Sequence, residues 1–209
     1  SEKAIMSRGI FITFEGGEGA GKSTQIRFVA SYFRKKRRKV LLVREPGSTP
    51  IGEQIRNVLL HPKNKAMSVE TELFLYLAAR AQLVKEVIEP ALKKGYVVIS
   101  DRYEDSTIVY QGYAGGLPLA RVKQIVQTAR GNLMPRLTFL LDLDVKRGLK
   151  RSGRNDRVER KSLHFHERIR RGFLTLAKQN PRRFVVILSE APRSEVQRKI
   201  KAKLDHVFS

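Results

Sequence analysis

Five short apolar runs, separated by stretches of helical character, constrain this chain more than any other feature. They are Gly9–Phe14, Lys39–Val43, Tyr96–Ser100, Leu137–Asp142 and Phe184–Leu188. Each is nearly continuous in apolar character, as in strands buried on both faces. Strands that alternate with helices pair in parallel through right-handed crossovers. The expected fold is therefore a three-layer α/β domain with a five-stranded parallel sheet flanked by helices. Helices are predicted at Gly21–Lys36, Ile51–Leu60, Ser68–Lys93, Leu119–Ala129, Val145–Arg151, Lys161–Gln179 and Ser194–Val207. Pro90 lies in the last turns of the longest, where a kink or an early end is expected. No repeat, low-complexity tract or long linker divides the 209 residues, so a single domain over 1–209 is expected, with residues 1–8 a flexible N-terminus.

Cysteine is absent, which excludes disulfides, a thiolate nucleophile and cysteine-based metal sites. No apolar run approaches the ~18–20 residues of a membrane span, and Ser1–Gly9 lacks the apolar core of a secretory signal. A cytoplasmic protein without membrane contact is expected. The charge is unusual: 42 Lys and Arg against 20 Asp and Glu leave +22. Such a surface attracts nucleic acid, anionic membranes and phosphorylated small molecules alike. The densest run, Arg34-Lys35-Lys36-Arg37-Arg38-Lys39, suits either a nucleic-acid patch or the solvated end of a helix, where cations complement the dipole. Charge alone names no partner.

The chemistry begins after the first run. Gly16-Gly17-Glu18-Gly19-Ala20-Gly21-Lys22-Ser23, followed by Thr24, matches G-x-x-x-x-G-K-[ST] between a strand and a helix. The glycines let backbone N–H groups turn inward around a phosphate, and the following helix adds its positive end. Lys22 is placed to reach the outer phosphates and Ser23 to ligate Mg²⁺. These features predict a nucleoside triphosphate site over Gly16–Thr24.

A second anionic site is expected at the end of the third run, Val97-Val98-Ile99-Ser100-Asp101-Arg102-Tyr103, because ligands gather at the carboxyl ends of parallel strands. Asp101 is a candidate for holding Mg²⁺ through water, and Arg102 for clamping a phosphate. Asp142 is a rival for the metal. The residues after the two aspartates are Arg102 and Leu143, so neither carries the glutamate with which many ATPases activate water. That favours transfer over hydrolysis. Arg44, in Arg44-Glu45-Pro46-Gly47-Ser48-Thr49-Pro50, is placed beside the same crevice. Tyr76 and Arg80 share a helix face with Leu73, Leu77 and Val84, so Arg80 either snorkels to solvent or lines a pocket. The arginine-dense segment 150–157 reads as a solvated loop or as a lid that closes over a transferring phosphoryl group.

Together these motifs make the chain resemble a thymidylate kinase of the bacterial type, from Gly9 to about its end. The resemblance rests on Phe14–Ser23, Arg44-Glu45-Pro46-Gly47, Ala78-Ala79-Arg80, Asp101-Arg102-Tyr103 with Ser106-Thr107, Tyr110-Gln111-Gly112 and Asp156-Arg157-Val158-Glu159. It implies a P-loop nucleoside monophosphate kinase fold, and phosphoryl transfer from ATP to dTMP with Mg²⁺. By the family pattern Glu18 approaches the sugar 3′-hydroxyl, and Arg44 and Arg102 hold the acceptor phosphate. Tyr76 stacks on thymine, Arg80 and Thr107 read its polar edge, and Tyr110 and Gln111 complete the pocket. No basic residue precedes Lys22 in the loop, and the branch lacking one supplies its arginine from the lid, here Arg151 or Arg154, with Arg157 a third candidate. A homodimer is implied, with nucleic-acid binding at most nonspecific. Ser48 stands where a second glycine is expected. The rivals are a kinase for another monophosphate and, from a different class, a nucleic-acid-binding P-loop ATPase.

Overall fold

The computed structural model describes residues 9–153 and 156–208. Five parallel strands form one sheet in the order β2-β3-β1-β4-β5: β1 (Ile10–Glu15), β2 (Val40–Arg44), β3 (Val97–Asp101), β4 (Leu137–Asp142) and β5 (Phe184–Leu188). All five strands stand within one residue of their expected bounds. β1 lies at the centre and every one of its residues is buried. Ile10, Ile12 and Phe14 pack with Ile26, Val29 and Phe33 of α1 (Lys22–Lys35) and with Val196, Ile200 and Leu204 of α9 (Arg193–Phe208). On the other face, Phe11 meets Leu83, Val84 and Ile88. The Phe14 and Phe139 rings stack at 5.1 Å between centroids. This gives the three expected layers.

Helix starts follow local chemistry. Thr49 accepts from Gly52 N to begin α2 (Pro50–Leu60), with Pro50 in its first turn, where the missing N–H costs nothing. Ser68 accepts from Thr71 N to begin α3 (Val69–Leu83). The regular α-helix does end early, at Leu83, but the chain does not leave the helical path. Instead a π-helical turn, Val84–Ile88, leads into α4 (Glu89–Lys93). The wider turn puts Pro90 in the first turn of a new helical register, where its N–H is not required.

One element was absent from the sequence expectation. Glu104–Thr107 forms a short helix, α5, and continues as a π-helix through Ile108–Ala114. Thr107, Ile108 and Val109 argue for a strand by propensity. Packing overrides that preference: Val109 is fully buried against α8 (Leu163–Gln179), whose Gly172 admits the Tyr113 side chain. The remaining helices, α6 (Leu119–Arg130) and α7 (Val145–Ser152), match expectation. Among the described residues no helix is long and apolar enough to cross a membrane.

Phe139→Ala should remove the stacked partner of Phe14 from the fully buried centre and cost about 3–5 kcal/mol in urea unfolding. A loss under about 1 kcal/mol would show that the core does not depend on this pair.

Candidate active site

The carboxyl ends of β1, β2 and β3 open onto one cavity of about 350 Å³. Its lining includes Glu18 to Thr24, Arg44, Tyr76, Arg80, Asp101, Arg102, Thr107, Tyr110, Gln111 and Arg151. Gly16 and Gly17 border a smaller neighbouring pocket with Glu18. Arg154 lies outside the described residues. Most of the candidates from the sequence therefore converge on one crevice, with Asp142 and Arg157 standing outside its lining.

The glycine-rich loop owes its path to close backbone approaches. Gly16 has φ 137°, and a Cβ there would sit 2.4 Å from the Leu141 carbonyl oxygen. Gly19, at φ 65°, and Gly148 of α7 face each other: either Cβ would strike the other segment's backbone, the Gly148 or the Glu18 carbonyl oxygen. The lid helix thus rests on the loop backbone itself. Lys22 Nζ donates to the carbonyls of Gly16 (3.1 Å) and Gly17 (3.0 Å). Burial, reinforced by Arg102, lowers the pKa of its ammonium.

Arg102 is the hub. Its φ of 71° lies in the left-handed region, costly for a residue with a Cβ. Its N–H donates to the Phe14 carbonyl (2.9 Å), Nη1 to the Gly16 carbonyl (3.0 Å) and Ser106 Oγ (3.2 Å), and Nη2 to Glu18 (2.6 Å). The guanidinium also stands 5.1 Å from the Tyr110 ring centre. Tyr110 donates its hydroxyl to the same Glu18 oxygen (2.9 Å). Burial alone would raise the Glu18 carboxyl, but Arg102, Lys22 and Tyr110 overcome it and hold the pKa at about 2. Glu18 is a fixed anion at neutral pH.

Glu15 was missed by sequence reasoning, although it ends an otherwise apolar run. It is fully buried and accepts from Tyr103 N (2.8 Å) and Ser106 Oγ (2.6 Å). It therefore holds the turn that carries Arg102. Burial, and then the neighbouring Asp105, push its carboxyl up to about 8.

Ser48 does adopt the left-handed conformation that a glycine would take easily, at φ 66°. Its Oγ accepts from Arg44 N (2.9 Å) and its N–H donates to Glu53 (2.7 Å), bonds that compensate the strain. Glu53 also receives Arg44 Nη2 (2.8 Å) on the exposed rim.

Arg80 does not snorkel. It is buried, with Nη2 on Glu45 (2.5 Å) and on Thr107 Oγ1 (2.9 Å) and with Nε on Glu45 (2.8 Å), while its Nη1 has no partner among the described residues. Gln111 donates Nε2 to Glu72 (2.6 Å), which fixes the amide so that its unpartnered Oε1 remains an acceptor. Glu45 and Glu72, the anchors of these two groups, were not foreseen. Tyr76 completes this end of the crevice.

The two aspartates separate cleanly. Asp142 is held bidentately by Arg170 (2.6 and 2.9 Å) and borders the smaller pocket. Asp101 lines the main crevice with an unpartnered buried Oδ1, and Ser23 lines it too. One carboxylate and one hydroxyl fit Mg²⁺, which is typically bound through few protein ligands together with phosphates and water. Among the described residues no group of three or more His, Cys, Asp or Glu side chains is placed to hold a metal ion by itself.

Of the lid arginines, Arg151 lines the crevice. Arg157 does not serve there: it is buried, donates Nε to the Leu59 carbonyl (2.6 Å) and pairs with Glu72 at 2.6 Å. Lys161 shares that carboxylate (3.3 Å). Arg157 instead ties the lid's far end to α2 and α3.

Comparisons with known proteins agree with this geometry. A family model described as Thymidylate kinase matches residues 14–200. The thymidylate kinase of Symbiobacterium thermophilum is 48% identical over 201 residues, covering 95% of this chain and 94% of its own. That of Deinococcus radiodurans is 46% identical over 202 residues, 94% of this chain and 97% of its own. The crystal structure of thymidylate kinase from Ehrlichia chaffeensis superposes with a TM-score of 0.77 at 32% identity, covering 94% of this chain and 99% of that one.

Glu15 yields a pH test. A carboxyl raised from 4.5 to about 8 binds its proton more tightly folded than unfolded. Its contribution to stability is therefore present below about pH 4.5 and lost as pH rises through about 8. Glu15→Gln stays neutral, so urea unfolding should show the variant gaining on the wild type between pH 5 and pH 8.5. A difference independent of pH would mean that Glu15 does not titrate in this window.

Proposed function

The chain belongs to the thymidylate kinase family, whose reaction is ATP-dependent phosphorylation of dTMP to dTDP, and from that premise we propose how its crevice divides the work. The observation that carries the assignment is the pairing, in the crevice of the phosphate-binding loop, of one unpartnered donor with one unpartnered acceptor: Arg80 Nη1 and Gln111 Oε1. A thymine edge offers a carbonyl oxygen to the first and an N–H to the second. A purine edge of the wrong size, or a cytosine with its amino group, would leave one of these buried groups unsatisfied, at a cost of about 1–3 kcal/mol. Tyr76 supplies the aromatic face, and Thr107 and Glu45 hold Arg80 in place.

ATP is assigned to Gly16–Thr24, with Lys22 exchanging its two loop carbonyls for phosphate oxygens. Arg44 and Arg102 hold the acceptor phosphate. Taking that phosphate releases Glu18 from Arg102 and leaves its carboxylate for the sugar 3′-hydroxyl. Ser23 and Asp101 would hold Mg²⁺, which when bound neutralises charge on the phosphates. The acceptor is largely a dianion at neutral pH, so no strong general base is required. Catalysis is positioning and charge neutralisation. Arg151, with Arg154 from outside the described residues, supplies lid cations to the transferring group over segment 150–157.

A homodimer and a cytosolic setting belong to the same proposal. Family membership supports the first, together with the exposed apolar side chains Ile51 and Val58 on α2 and Phe74 on α3. The lack of cysteine supports the second.

The deciding experiment is a coupled ADP-release assay with ATP and Mg²⁺, offering each nucleoside monophosphate in turn. Strong turnover with dTMP, less with dUMP, and background with AMP, GMP and CMP is expected. Equal turnover across bases would remove Arg80 and Gln111 as selectivity residues. Lys22→Ala and Arg102→Ala should each lower kcat/KM by at least ~10²-fold, about 2.7 kcal/mol. Arg151→Ala should depress kcat more than it weakens dTMP binding, because its contact forms mainly in the transition state. An unchanged kcat would pass that role to Arg154.

A further inference from the structure

The fold gives the +22 charge a location. In a parallel sheet with right-handed crossovers, each crossover returns the chain to the amino edge, opposite the crevice. The residues that precede the strands therefore share that edge. Before four of the five strands they include a cation; Gly9 precedes the central β1. Lys39 precedes β2, Lys94 stands three residues before β3, Arg136 precedes β4 and Arg182 stands two residues before β5; all four are exposed.

The helix ends add to the row. Exposed Lys35 and Arg37 follow from the last turn of α1. Arg38 Nη2 donates to the Gly95 carbonyl (3.2 Å), and Lys39 N ζ stands 5.8 Å from the Tyr96 ring centre, which joins the α1–β2 turn to the turn before β3. Backbone bonds fix the alignment: Val97 N donates to the Lys39 carbonyl (2.8 Å), and Arg136 N to the Phe11 carbonyl (2.8 Å).

Acidic groups near this edge are already neutralised. Glu104 pairs with Arg130, Asp105 with Arg183 and Asp205 with Lys201. Lys35, Arg37, Lys94, Arg136 and Arg182 form no ion pair among the described residues. Strands ~4.8 Å apart spread the row over about 19 Å, the axial rise of about five or six phosphates on one strand of a double helix.

We propose that the amino edge of the sheet is a sequence-independent binding surface for the phosphate backbone of nucleic acid. A row of cations across strand ends matches a linear polyanion. A membrane surface fits less well, because Met134 is the one large apolar side chain exposed beside the row among the described residues. The crevice lies on the opposite edge, so binding leaves the catalytic groups open.

The test uses a fluorescein-labelled 20-nucleotide single-stranded DNA of mixed sequence, read by anisotropy across a salt series. Two variants of equal charge are compared. One carries Lys35→Glu, Lys94→Glu, Arg136→Glu and Arg182→Glu. The control carries Lys63→Glu, Lys65→Glu, Arg121→Glu and Lys123→Glu, all exposed and away from this edge. Wild-type affinity should fall with salt at a log–log slope of about −3 to −4, near −0.7 per phosphate for single strands. The edge variant should bind at least about tenfold more weakly than the control, with a slope shallower by two or more. The kinase reaction of both should match the wild type, which reports intact folding. Equal losses in the two variants would make the binding a property of net charge and overturn the proposal. Binding to phosphatidylserine vesicles with none to the oligonucleotide would also overturn it.

Discussion

The structure turns on Arg102. A non-glycine residue in the left-handed region survives only where its surroundings determine it, and here they do so from several sides. Its backbone is bonded to the end of the central strand. Its guanidinium touches the glycine-rich loop, Ser106, Glu18 and the face of Tyr110. A single side chain therefore couples the glycine-rich loop to the wall of the crevice that carries Tyr110. The Arg102–Glu18 pair is largely buried, and breaking it without replacement would strand two charges away from water. In the proposed reaction an incoming phosphate replaces the carboxylate with another anion, and a sugar hydroxyl gives the carboxylate a new donor. The exchange keeps every charge compensated, which suits a site that must open and reclose at each turnover.

Beneath that hub lies a buried polar layer. Glu15 holds the turn that presents Arg102, while Arg183 bridges Asp105 to Thr138, itself bonded to Thr13. Buried ion pairs of this kind add little net stability against apolar packing. What the layer does is fix the α5 turn against β1, β4 and β5. The π-helical stretch Ile108–Ala114 then carries Tyr110 and Gln111 to the crevice from the same anchored turn. This wall of the crevice inherits its geometry from buried groups that lie behind its lining.

The sheet was legible because both-face burial writes itself as continuous apolar runs, and each strand fell within a residue of its reading. The phosphate loop was legible because its glycines answer local demands that few other residues meet. Three things were not. The α5 segment has β-branched residues that suit a strand, and only its packing on α8 makes it helical. Glu15, Glu45 and Glu72 act through partners 35 to 91 residues away, as in Ser106 Oγ to Glu15 across 91 positions, and no local pattern marks such a distance. Arg157 sat in an arginine-rich run, where spacing gave no means of telling an anchor from a lid cation. Its burial against Glu72 decides the matter.

The same logic separates the two aspartates that the sequence left as rivals. Both end parallel strands, both have an apolar run behind them, and position alone ranks neither. Asp142 is engaged bidentately by Arg170 on a long helix, so recruiting it for a metal would leave a guanidinium without its carboxylate. Asp101 keeps one buried oxygen uncommitted and shares the crevice with Ser23 and Lys22. Many hydrolases place a further carboxylate beside it to activate water, and the position after Asp101 is filled by Arg102, the arginine proposed to hold the acceptor phosphate. Under the proposed roles, a phosphate clamp in place of a water-activating group makes the strand end a place that hands the γ-phosphoryl group on rather than one that consumes it.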